Sequence, residues 1–209
     1  MTVRLQTLFE TPAKARMSAQ QYLDNPLSER KSDLIEGVFV MASPASLEHE
    51  ALTAFLLATM NAFVGQKKLG RVLSSNAAYR LSDDNVYQPD VSFVRTERSG
   101  LAQDIYFPGP PDIAVGVVSP SSRQYDTVEK KINYGRYGVG EYWLIDPIDE
   151  RAVFYTQTEG QLLPIPAPAG RVQSALLEGY WLEIAWLFPP QGVERPSVLD
   201  VARQQGLIA

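Results

Sequence analysis

Carboxylates set the chemistry open to this chain. Of 209 residues, 24 are Asp or Glu, none is Cys, and one is His, His49. The absence of cysteine removes disulfides, thiolate nucleophiles, zinc ribbons and iron–sulfur clusters. A lone histidine removes multi-histidine metal sites and makes a histidine-based triad a poor fit. Any resident metal is then a hard cation held mainly by carboxylates, magnesium or manganese. Several acidic residues stand where a strand begins. Asp90 follows Pro89 inside a β-rich run, an expensive place for a charge unless it is exposed or paired. Asp112 follows Pro111 at the head of an almost wholly apolar run, and Asp33 and Glu36 lie on an earlier strand. Lys130 shares a helical face with Tyr134 and Tyr137, so its stem either lies over the rings or carries the ammonium into a site.

The elements that must position these groups follow from periodicity. Residues 1–16 read as a flexible arm and 17–209 as a single domain, a length that needs no covalent staples. Ser18 caps a short helix that ends before Asn25-Pro26. Asp33 to Met41 reads as one strand carrying a turn or bulge at Gly37. Ser43-Pro44 opens a helix to about Gln66, with Leu52, Leu56, Met60 and Phe63 on one stripe and His49 a turn earlier on the same stripe. Arg71–Leu81 and Val86–Val94 form a hairpin about a polar turn, and 96–111 reads as a mobile connection. Asp112–Val118 suits a strand buried on both faces. A helix from Asp126 to Tyr137 follows, opened by Asp126 and Glu129 as a capping box, and then the strand Glu141–Asp146. That strand–helix–strand run is a crossover unit. A strand at Leu182–Trp186 and a helix at Val198–Gln205 complete an α+β chain, a mixed sheet flanked by helices.

The formal net charge of −5 argues against a nucleic-acid coating protein, which would carry a basic stripe. It leaves room for an acidic site that meets phosphate through a metal. The first residues show no signal-peptide pattern, and the apolar stretch Ala51–Val64 is too short and too interrupted to span a membrane. The expectation is a soluble, cytoplasmic protein.

The order of motifs carries a resemblance. Asp33-Leu34-Ile35-Glu36-Gly37, Ser43-Pro44 with His49, and Pro89-Asp90-Val91 come first. Val117-Val118-Ser119-Pro120-Ser121-Ser122-Arg123, Asp126, Lys130 and Tyr134 follow, then Gly138 through Pro147 around Glu141-Tyr142-Trp143-Leu144-Ile145-Asp146, and Leu177-Glu178-Gly179-Tyr180 through Leu187-Phe188. Across 17–188 the chain resembles the bacterial putative restriction endonuclease family of the PD-(D/E)XK nuclease superfamily. The resemblance implies a restriction-endonuclease-like core and magnesium- or manganese-dependent hydrolysis of DNA. Carboxylates from adjacent strands would hold the cation, and a lysine would orient or deprotonate the nucleophile. It implies Asp90 as the metal-binding aspartate, Lys130 as the lysine moved onto a helix, and Asp33 or Glu36 as the extra acid. His49, on the apolar stripe of its helix, reads first as a core or capping histidine, with the site mouth as the alternative. Cutting two strands favours a homodimer about a two-fold axis.

The chain departs from the family pattern at one position. A glutamate is expected just before Val117, and Gly116 stands there. Losing that carboxylate is expected to cost orders of magnitude in rate. Asp112, four residues earlier on the same strand, is the residue placed to compensate. Two readings follow: a DNA endonuclease weakened or inactivated at Gly116, and a non-catalytic nuclease-fold protein that binds or regulates.

Overall fold

A computed structural model of the protein describes residues 16–25, 28, 30–120 and 122–209, so the expected arm over 1–16 lies, Arg16 apart, outside the described residues. The fold turns on one long hairpin split between two sheets. Strand β3 (Gly70–Ser74) pairs antiparallel with β6 (Val91–Arg95), while β4 (Ala78–Arg80) pairs antiparallel with β5 (Val86–Tyr87). The expected hairpin therefore exists, but its base and its tip belong to different sheets.

The smaller sheet has the order β2-β1-β5-β4-β7 and the larger β11-β10-β9-β8-β6-β3. In the smaller, β1 (Ser32–Ile35) and β2 (Val38–Met41) form a two-residue hairpin with Ile35 opposite Val38. Glu36 and Gly37 make its turn at φ of +46° and +79°, the left-handed pair that such turns require. The single strand expected over 33–41 is thus two. The segment 96–111 is likewise more than a connection: Thr96–Leu101 is a 3-10 helix and β7 (Tyr106–Pro108) pairs parallel with β4.

In the larger sheet β8 (Ile113–Val117) pairs parallel with β9 (Glu141–Asp146), and the other pairings are antiparallel. Strands β10 (Arg151–Thr158) and β11 (Gln161–Pro164) extend it as a meander. Alternation along β8 separates two cores. Ile113, Val115 and Val117 pack with Leu52, Leu56, Met60 and Phe63 of α2 (Leu47–Lys67), after the short α1 (Ala19–Leu23). Ala114 and Val118 face Tyr134, Tyr142 and Leu144 beneath α3 (Lys131–Tyr137). Gly116 shares that second face.

Two helix starts differ from expectation. Helix α2 is capped by Ser46, whose hydroxyl accepts the His49 N–H at 3.1 Å, so Ser43-Pro44 stands outside it. The crossover helix opens with a π-helical segment, Tyr125–Lys130, and has no side-chain cap. Asp126 is buried there and used otherwise, as described below. A two-stranded ribbon, β12 (Arg171–Gln173) with β13 (Trp181–Glu183), leads into α4 (Ile184–Leu187), where the strand expected to reach Trp186 turns helical. Helix α5 (Val198–Gln204), capped by Ser197 and Asp200, ends the chain.

Candidate active site

Strand β1, the start of α2, the residue before β6, the end of β8 and the π segment enclose a cavity of about 180 Å³. Alternation places Lys31 and Asp33 on the same side of β1, both in its wall. Asp90 enters from the start of β6. Its N–H donates to the Val115 carbonyl at 2.9 Å, and its Oδ2 accepts the Val117 N–H at 2.7 Å. Its Oδ1 carries the Lys31 ammonium and lies 3.5 Å from His49 Nε2. The register, Val91 opposite Val115, carries Asp90 across from Gly116.

His49 sits in the first turn of α2. Its Nδ1 lies 3.4 Å from Glu50 Oε1 but makes no hydrogen bond among the described residues, and Thr53 Oγ1 in the same cavity wall makes none either. Lys130 and Tyr125 stand one π-turn apart, which brings the ammonium 4.8 Å from the Tyr125 ring. Lys130 Nζ also reaches Asp33 Oδ2 and Asp126 Oδ1, each at 3.0 Å. Burial alone would depress this lysine, but the Asp126 and Asp33 charges outweigh it and hold the ammonium well above the ordinary lysine range. Lys130 is therefore a fixed cation at neutral pH. Asp33 is saturated: Oδ1 accepts the Gln88 N–H at 2.7 Å, and Oδ2 accepts the Tyr125 hydroxyl at 3.0 Å besides Lys130.

These groups meet in one cavity on a mixed sheet flanked by helices, and over residues 19–185 the sequence matches the Uma2 model, described as a putative restriction endonuclease. The chain belongs to the Uma2 family. Its fold is similar to the crystal structure of a putative nuclease belonging to DUF820 from Anabaena variabilis, with a TM-score of 0.70 at 20% identity over 82% of this chain and 97% of that one. No curated protein matches the sequence. Among the described residues, no helix is long and apolar enough to cross a membrane.

Against the Uma2 expectations, the structure gathers Asp90, Lys130, Asp33 and His49 in the cavity wall and leaves two residues out. Glu36 is exposed at the β1–β2 turn, its N–H donating to Asn85 Oδ1 at 3.1 Å. Asp112 lies at the far end of β8, where it pairs with Arg98 at 3.1 Å and accepts the Arg95 N–H at 2.9 Å. It does not compensate for Gly116. A β-carbon at 116 would stand 2.9 Å from Tyr142 Oη, so the tyrosine ring occupies the space toward which a side chain would project. That hydroxyl donates to the Asp126 carbonyl at 3.1 Å. The reading by sequence missed Lys31, Tyr125 and Asp126. The signals for two of them were there: Lys31 and Asp33 at strand spacing, Asp126 and Lys130 at helical spacing.

The divalent cation that the superfamily resemblance implies does not fit these donors. Among the described residues no three of His, Asp and Glu converge on one point. Asp90 spends one oxygen on the Val117 amide and the other on Lys31, Asp33 and Asp126 each turn one oxygen to Lys130, the other Asp33 oxygen accepts the Gln88 N–H, and position 116 offers no oxygen.

Proposed function

We propose that this Uma2 chain engages the phosphodiester backbone of DNA at the Asp90 cavity as an endonuclease whose hydrolytic step is weakened at position 116. The observation that supports this is the meeting of Asp90, Lys130 and Asp33 in one cavity, with position 116 directly across the ladder from Asp90. The buried Thr53 Oγ1, without a hydrogen-bond partner among the described residues, presents a polar atom to a ligand there. Lys130 supplies fixed positive charge, and Asp33 with Asp126 sets its position. We read the working form as a cytoplasmic homodimer, as cutting both strands favours.

The second reading, a non-catalytic nuclease-fold protein that binds or regulates, is favoured by the bare position 116 and by the ammonium on Asp90. Anisotropy with a labelled duplex and nicking of supercoiled plasmid in magnesium or manganese separate the two. The nuclease reading expects duplex binding, with nicking that rises at least about 100-fold in Gly116→Glu and is lost when Asp90→Asn is added. Binding without nicking in Gly116→Glu gives the case to the non-catalytic reading. A wild-type chain that binds no DNA overturns the nuclease reading.

A further inference from the structure

We propose that Lys31 is a built-in cation at Asp90: its ammonium occupies the position a divalent ion would take on that carboxylate and keeps the ion out. The inference rests on reading the cavity as the nuclease-derived site, and its test does not depend on cleavage.

The argument begins with β1. Lys31, the residue before the strand, and Asp33 within it line the same cavity and meet partners of opposite sign, Asp90 ahead of β6 and Lys130 on the π segment. The two ion pairs lie in the same cavity wall with reversed polarity. Lys130 is not available to Asp90, because two carboxylates hold it at 3.0 Å each. His49 Nε2 approaches the same Asp90 oxygen as Lys31, but from 3.5 Å. Lys31 is therefore the close cation.

Charge balance favours the exchange. A divalent ion between two carboxylates and an ammonium on one carboxylate both leave no net charge at the site. With glycine at 116 a divalent ion on Asp90 alone would leave an excess positive charge, which weakens the ion's hold there enough for a lysine to displace it. A lysine supplies the single charge required, and on a long stem whose polar head can reach water. The Lys31 side chain is 28% exposed, against 7% for Asp90, so Lys31 is the member of the pair that reaches solvent.

Manganese binding to the full chain, read from the electron paramagnetic resonance signal of the free ion, tests this on the wild type, Lys31→Met, Lys31→Gln and Lys31→Met/Asp90→Asn. The expected result is no Asp90-dependent site in the wild type at submillimolar manganese. Both Lys31 variants should gain one site, at least tenfold tighter, and the double variant should lose it. Two results overturn the proposal: a wild-type site that Lys31→Met leaves unchanged, or no gain in either folded Lys31 variant. Gain of the site without any plasmid nicking leaves the built-in cation standing and counts against the nuclease reading alone.

Discussion

Replacing Lys130 with methionine keeps the length of the stem and removes the charge between Asp33 and Asp126. Each carboxylate lies 3.0 Å from Nζ, so their nearest oxygens are within about 6 Å of each other. Two like charges at that separation, in an effective dielectric near 20, repel by about 3 kcal/mol. Stranding buried charges by deleting their partner typically costs about 3–5 kcal/mol, the same range. For a chain of this size that corresponds to a fall in Tm of roughly 6–20 °C. The pH dependence identifies the cause. In the wild type the folded-state pKa of Lys130 is raised, so its contribution is complete below the unfolded lysine value and is lost only in strong alkali. Between pH 5 and 8 it is flat. In Lys130→Met one of the facing carboxylates gains by taking up a proton, so the variant recovers stability as the pH falls. Scanning calorimetry at pH 5 and pH 7.5 reads both effects, and adding Asp126→Asn should recover much of the loss at pH 7.5. A loss below about 1 kcal/mol with no dependence on pH would refute the view of Lys130 as the buried hub of the site.

Three further outcomes are expected. At Glu141, burial pushes the carboxyl up against the pull of hydrogen bonds from Trp143 Nε1 and the Leu176 N–H, both at 2.7 Å. Its contribution is therefore complete below the unfolded value and declines as pH rises through the folded one; Glu141→Gln should cost about 1–3 kcal/mol and remove that slope from urea midpoints taken between pH 4 and 6.5. At Asp146, burial is outweighed by Arg123 and the N–H groups of Ile148 and Asp149, which hold the carboxyl low, so its contribution is present above the unfolded value and lost in acid. Asp146→Asn should cost about 1–2 kcal/mol at pH 7 and little at pH 2.5, read by thermal circular dichroism. Gly116→Ala sets the strand's preference for alanine, about 0.5–1 kcal/mol, against the contact 2.9 Å from Tyr142 Oη, and should fall within about 1 kcal/mol of wild type by urea denaturation. A loss above 2 kcal/mol would show that the tyrosine ring cannot yield.

Where the fold was legible, one local signal sufficed. The crossover from β8 to β9 follows from a doubly apolar run, a helical stretch and a second apolar run, and the handed geometry of such units leaves little choice. Helices α1 and α5 announce themselves by Ser18 and Ser197, each with its third helical residue closing a capping box. The misreadings arose where tertiary contacts overruled a local rule. Asp126 and Glu129 have the spacing of a cap, but burial beside Lys130 gives Asp126 a stronger partner than its own backbone. At Glu36-Gly37 the sequence leaves turn and bulge both open because a non-glycine residue, Glu36, takes the first left-handed position.

The site shows the same division, and it turns on parity. Asp90 and Lys130 are recognisable by motif, whereas Lys31 becomes visible only when its side of β1 is known. Reading 33–41 as a strand with either a turn or a bulge leaves that side undefined, since a shift of one residue exchanges the faces. Once the hairpin fixes the register, Lys31 must share a face with Asp33, and both must look into the cavity between β1 and the ends of β6 and β8. Gly116 lies across the ladder from Asp90, and on the reading proposed above the carboxylate missing there changes what Asp90 requires: one positive charge rather than a share of two. The side chain two residues ahead of Asp33 supplies one.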